Sequence, residues 1–98
     1  MSNYYDKDGT PLELLDWARK LEQEGYSRVN ETTLYDGTWI STVWLGLDHQ
    51  HSSGPPVIFE TMAFSSRDSF DDQDMERYTT LAEALEGHER MVTKWRIR

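Results

Sequence analysis

Two helix-start motifs lie near the two ends of this chain and constrain its fold more than any other feature. Thr10-Pro11-Leu12-Glu13 and Thr80-Leu81-Ala82-Glu83 share the Thr-x-x-Glu spacing. At this spacing the threonine side chain accepts from the backbone N–H of the glutamate, and the glutamate side chain accepts from that of the threonine. Apolar residues then recur at three- and four-residue steps, which predicts helices over residues 11–24 and 80–95.

The second predicted helix has a defined apolar face. The residues predicted to form it are Leu81, Leu85, His88, Val92 and Trp95, with Ala84 and Met91 beside them. Gly87 lies in the middle of this helix, where glycine costs about 1 kcal/mol relative to alanine. We therefore expect close packing against a sheet or another helix at Gly87.

The segments between the two helices have the alternation of β-strands. Residues 28–35 and 38–48 flank Asp36-Gly37, a dipeptide that favours the tight turn of a β-hairpin. Residues 57–64 predict a third strand, and residues 75–78 a short fourth strand at an edge. The predicted order is α-β-β-β-(β)-α. We expect an α+β fold in which N- and C-terminal helices pack on one face of a small antiparallel sheet.

The length of 98 residues predicts one domain. We expect residues 1–9 to form a flexible N-terminal arm and residues 10–98 a single α+β domain. Four Trp, five Tyr and three Phe supply core material despite a hydrophobic content of 37%. The absence of cysteine excludes disulfides, thiol catalysis and cysteine-ligated metal sites.

The charge balance limits the classes of partner. Eighteen Asp and Glu against ten Lys and Arg give a net charge of −8, which argues against nucleic acid and against an anionic membrane surface. An αβββα order also occurs in double-stranded-RNA-binding domains, but the last helix opens here with Glu83 and Glu86 rather than lysines. Neither a signal peptide nor a transmembrane segment is predicted, so we expect a cytoplasmic protein. We also expect no cofactor.

Metal binding has two weak candidate sites. His49 and His51 could present two imidazoles to one ion, but a zinc site needs at least three protein ligands. Two solvated histidines in a loop are the favoured explanation of this short pattern. The acidic run Asp68, Asp71, Asp72, Asp74 and Glu76 could hold Ca²⁺, yet it lacks the glycine and glutamate positions of an EF-hand. We therefore predict no metal site.

A ligand site between the sheet and the last helix is an alternative. Trp44, Glu60 and His88 could line it if Glu60 and His88 both point inward. A buried acid–imidazole pair could bind a nucleotide-like signal or perform acid–base chemistry. The competing interpretation is a buried histidine that one carboxylate satisfies, or a Glu60 that points to solvent.

Protein binding is the leading hypothesis from the residues. The strand over residues 38–48 is apolar on both faces, whereas the helices cover only one, so aromatic surface is left for a partner or for a homodimer. Clustered carboxylates in the acidic run favour a basic protein partner. The predicted partner-binding residues are Trp39, Trp44, Asp71, Asp72 and Asp74.

Three stretches resemble, as a set, a group of short phage, prophage and bacterial proteins of uncharacterised function. They are residues 41–49, residues 54–62, and residues 76–80 together with Gly87-His88-Glu89. The resemblance implies a phage-like accessory protein, located in the host cytoplasm if phage-encoded, and supplies no catalytic residues. In that context we expect a non-enzymatic protein that binds, and inhibits, a host or defence protein. A self-assembling structural module is a further alternative.

Overall fold

The computed structural model describes residues 3–48 and 54–97 of the chain. Two short strands precede the first helix, four longer strands follow it, and a second helix ends the fold. The elements are β1 Tyr4–Tyr5, β2 Pro11–Leu12, α1 Leu14–Glu22, β3 Arg28–Thr33, β4 Trp39–Trp44, β5 Phe59–Phe64, β6 Asp72–Tyr78 and α2 Leu81–Arg96. Strands β3 to β6 form an antiparallel sheet in chain order, and β1 pairs with β2. The predicted α+β class is confirmed, with the β1–β2 hairpin as an addition.

Helix α2 covers one face of the four-stranded sheet and contacts all four strands. Its predicted capping box is confirmed, because Thr80 accepts from the Glu83 backbone while the Glu83 side chain accepts from the Thr80 backbone. The central strands β4 and β5 supply most of the residues beneath it. These are Ile40, Thr42, Trp44, Phe59, Thr61 and Ala63, all of them buried.

The buried face of α2 is rotated from the predicted one. Ala84, Gly87 and Met91 are buried beside His88 and Val92, whereas Leu81 and Leu85 are exposed. Gly87 explains the rotation, since a Cβ at this position would overlap the ring of Tyr78. The helix therefore approaches the sheet over its small residues, as the central glycine predicted, and its leucines lie on the outer side.

Helix α1 begins later than predicted, at Leu14 rather than residue 11. Glu13 is its N-cap and makes no side-chain capping bond, so the predicted Thr10 capping box is wrong. The cause is the hairpin: Asp6 N donates to Thr10 O, and Thr10 N donates to Asp8 Oδ1. These bonds keep the chain extended through Pro11–Leu12, where it pairs with β1.

The β1–β2 hairpin and α1 lie against the end of β4. Tyr5 N donates to Gly46 O over 2.8 Å, and the indole of Trp44 donates to Tyr5 O over 3.0 Å. Trp17 of α1 donates to Leu45 O over 2.9 Å. Residues 3–9 of the predicted arm thus belong to a hydrogen-bonded hairpin, while the flexibility of residues 1–9 stays a prediction.

Neither helix in the described ranges combines the length and apolar character that crossing a bilayer demands.

Candidate functional site: the open face of the sheet

The sheet has a second face on which no described helix packs. We call it the open face. Antiparallel pairing arranges its residues in three rows that run across the strands from β3 to β6. The first row is Arg28, Val43, Glu60 and Arg77; the middle row is Glu31, Ser41, Met62 and Met75; the third row is Thr33, Trp39, Phe64 and Asp72.

The open face is apolar at its centre and charged at its edges. The central strands contribute Trp39, Val43, Met62 and Phe64, and the charged side chains lie mostly on the edge strands β3 and β6. The exception is Glu60 on β5, which is only 7% exposed and is paired with Arg77 of β6 at 3.2 Å. An apolar centre inside a polar rim is the usual anatomy of a protein–protein interface.

An aromatic pair occupies the third row. The rings of Trp39 and Phe64 stack with centroids 5.4 Å apart, and the Arg67 guanidinium lies 5.0 Å from the Trp39 centroid. Arg67 also donates to Glu31 over 3.1 Å, which fixes it above the indole. The Nε1 atom of Trp39 is buried and has no hydrogen-bond partner among the described residues. An unpaired buried donor of this kind lowers the stability of the fold.

The predicted acidic cluster divides between the two sides of the sheet. Asp71 and Asp72 are exposed at the start of β6 and, like Asp68, form no ion pair within the described residues. Asp74 instead lies on the α2 side, where its carboxylate accepts from Lys94 over 2.6 Å and from Trp95 over 3.1 Å. The Lys94 hydrogen bond lowers the pKa of Asp74. Asp74 is therefore part of the helix–sheet junction.

Trp44, the second indole predicted to bind a partner, is in the core. It is 1% exposed, and the Tyr26 ring meets it edge-on at 5.2 Å. Because successive side chains of a strand alternate between faces, Trp44 and Trp39 point to opposite sides of β4. The expectation that both indoles form one partner-binding face is corrected: Trp39 alone is on the open face.

The alternative ligand site at Trp44, Glu60 and His88 does not form. Trp44 and the His88 side chain of α2 lie between the helix and the sheet, whereas Glu60 points to the open face and pairs with Arg77. His88 is fully buried, with Nδ1 2.7 Å from Thr42 Oγ1 and Nε2 2.8 Å from Thr32 Oγ1. Burial lowers the pKa of His88 and favours its neutral form. This histidine joins α2 to β3 and β4 and has no route to a substrate.

The predicted histidine pair His49 and His51 lies outside the described residues, so its metal binding stays untested. Over residues 3–48 and 54–97, no group of three or more histidine and carboxylate side chains is placed to hold a metal ion.

An apolar groove beside α1 was missed by the sequence analysis. It has a volume of about 350 Å³, and its lining includes Trp17, Leu21, Val43, Leu45 and Leu47. Val43 belongs to the first row of the open face, so the groove continues that face past the end of β4. The signal that could have found it is the row of leucines on the short first helix, of which none is buried.

Comparisons with models of protein families, with curated proteins and with solved structures gave no match.

Proposed function

We propose that this chain is a non-enzymatic protein-binding domain whose docking surface is the open face. The observation that carries the proposal is the distribution of side chains on that face, with apolar residues on the two central strands and charges on the two edges. Ordinary solvation of a sheet face would favour polar residues on the central strands as well. Here apolar residues occupy four of the six central positions, namely Trp39, Val43, Met62 and Phe64, and Ser41 and Glu60 occupy the other two.

Trp39 is the proposed anchor of the interface. Tryptophan and arginine are enriched among the residues that dominate binding energy, and Arg67 lies over the Trp39 ring. The stacked Trp39 and Phe64 rings give the anchor a flat apolar surface. We infer that the partner brings an apolar patch to this pair.

The acidic end of the face determines the charge of the partner there. Asp68, Asp71 and Asp72 are exposed next to the third row, and Phe70 between them is 98% exposed. Free carboxylates beside an apolar patch favour basic groups at the matching end of the partner and accelerate encounter. Inhibition of a host or defence protein, as a phage-like accessory protein, is the wider role that we propose for the chain.

The experiment compares two apolar residues of similar exposure on opposite sides of the domain. Met75 lies on the open face at 40% exposure, and Leu85 lies on the outer side of α2 at 43%. Affinity capture from the source cell with the tagged chain is expected to retain a specific protein with Leu85→Lys and to lose it with Met75→Lys. Circular dichroism checks that both variants fold.

Two results would contradict the proposal. One is capture that survives Met75→Lys and also survives Trp39→Ala in folded protein. The other is capture that Leu85→Lys abolishes while Met75→Lys does not, since this would place the docking surface on α2.

A further inference from the structure

The open face carries opposite charges at its two ends. The first row holds two arginines and one carboxylate, Arg28, Arg77 and Glu60. The third row ends at Asp72, beside the exposed Asp68 and Asp71. Arg77 pairs with Glu60 but keeps exposed surface. An occupant that is cationic near Asp72 and anionic near Arg77 therefore complements the face. A second copy of the open face presents these charges when its first row meets the third row of the original copy.

We propose that the occupant of the open face is a second copy of this chain, which rests on the proposed function of that face. The two copies stack face to face about a two-fold axis that lies between the sheets, perpendicular to the strands, and passes over the middle row. Such an interface uses the same patch on both copies, as most homodimers do. The middle row then meets itself, and the first row of one copy meets the third row of the other.

This arrangement pairs unlike groups between the first and third rows. In the middle row Glu31 lies opposite its own copy, where Arg28 and Arg67 neutralise each carboxylate. Arg77 of one copy lies opposite Asp72 of the other, and Trp39 lies opposite Val43, both on matching strands. A two-fold axis parallel to the strands would instead place Arg28 opposite Arg77 and bring two cations together. Stacked sheets keep their strands within about 30° of one another at a separation of about 10 Å, which preserves these pairings approximately.

Ion pairs within the open face reduce the repulsion between two copies there. Arg28, Arg67 and Arg77 pair with Glu31 and Glu60.

The size of the face predicts a reversible dimer. Four strands of about six residues form a face of about 19 by 20 Å, an area of roughly 380 Å². This area is smaller than the ~800 Å² that each partner buries in a stable interface. We expect a dissociation constant in the micromolar range, so the association state depends on protein concentration.

Charge exchange at two positions tests the arrangement by analytical ultracentrifugation. The natural chain is expected to approach a dimer as its concentration rises to about ten times a micromolar dissociation constant. Asp72→Arg and Arg77→Asp are each expected to weaken the dimer at least tenfold. An equimolar mixture of the two variants is expected to recover the natural level of association, because each Arg–Asp contact is then restored between unlike copies. Glu86→Arg on α2 is the matched control and is expected to keep the dimer.

Cross-linking provides a second measurement that does not depend on charge. The sequence has no cysteine, so Ser41→Cys introduces a single thiol in the middle row. A short bis-maleimide is expected to join two copies through residue 41, and to leave Glu86→Cys protein unjoined at the same concentration.

Three outcomes overturn the inference. They are a natural chain that stays monomeric at millimolar concentration, a dimer that Asp72→Arg leaves intact, and a mixture of the two charge variants that fails to associate although both fold. A monomer that captures another protein in a Met75-dependent manner overturns the inference and leaves the proposed function standing. A face that binds neither a second copy nor another protein overturns both.

Discussion

His88 and Thr42 join α2 to β4 inside the core, with the Nδ1 atom of His88 2.7 Å from Thr42 Oγ1 and neither residue exposed to solvent. Thr42 in turn lies 2.5 Å from Thr61 on the neighbouring strand, so one hydrogen-bonded line crosses from the helix to β5. The hydroxyls can donate or accept, and a neutral imidazole is therefore fully satisfied.

The buried, neutral His88 predicts that the free energy of unfolding falls as the pH becomes mildly acidic. Burial lowers the pKa of His88, so the unfolded chain binds a proton more readily than the folded one. Stability is therefore complete above the ordinary histidine pKa of about 6.5 and decreases below it, at most by about 1.4 kcal/mol per pH unit. Urea unfolding at pH 7 and pH 5 measures the difference. His88→Gln is expected to flatten the dependence over this range. An unchanged slope in that variant would assign the effect to other groups.

Gly87→Ala is expected to destabilise the domain although alanine is the better helix former. Alanine gains about 1 kcal/mol in helix propensity, but its Cβ would overlap the buried Tyr78 ring. Overpacking of this kind costs about 1–3 kcal/mol and dominates. Thermal unfolding measures the change, with Glu86→Ala at the adjacent exposed position as a control that should stay within about 0.5 kcal/mol of the natural chain. A more stable Gly87→Ala variant would show that α2 does not lie so close to β6.

Removal of residues 1–9 is expected to destabilise the domain by at least about 2 kcal/mol. The deletion takes away the Tyr5 carbonyl that accepts from Trp44, and it exposes an indole that is now 1% exposed. Chemical unfolding measures the loss, and a red shift of tryptophan emission reports the solvation of Trp44. Tyr35→Ala, which removes an exposed tyrosine elsewhere, is the control. A truncated chain of unchanged stability would support the flexible arm that the sequence analysis predicted.

Asp74 and Asp71 are expected to differ in their effect on stability despite their proximity in sequence. Asp74→Asn weakens the bonds from Lys94 and Trp95 and is expected to cost about 0.5–1 kcal/mol, because Lys94 is largely exposed. Asp71→Asn removes no ion pair and should be neutral. The lowered pKa of Asp74 means that its contribution is present above the ordinary aspartate range and is lost as the pH falls through the folded-state pKa. Unfolding at pH 7 and pH 3 tests both statements.

The sequence correctly predicted those elements whose stabilising contacts come from residues nearby in the sequence. The Thr80–Glu83 box and the apolar period after it depend on neighbouring residues, and α2 forms as expected. The same motif at Thr10 fails because Asp8 and Gly9 close a hairpin that holds residues 10–12 extended. A tertiary contact, the hydrogen bond from Tyr5 of that hairpin to Gly46 O, favours the extended conformation of residues 10–12 over the helical one.

The candidate site was harder to predict because it depends on which face each side chain takes. Alternation along β4 already separates Trp39 from Trp44, but the side on which α2 packs follows from the small residues Ala84 and Gly87 rather than from the leucines. Glu60 and His88 therefore end on opposite sides of the sheet. The hydrogen bonds of His88 to two threonines on separate strands have no signature in sequence spacing.

Strict alternation along β4 separates the residues that serve folding from those that are available for binding. Ile40, Thr42 and Trp44 are committed to folding, whereas Trp39, Ser41 and Val43 between them face outward. Mutations can accumulate in the outward set while the inward set is conserved by selection for folding. Changes of binding specificity over evolutionary time are therefore expected at the odd-numbered positions of this strand rather than at the even-numbered ones.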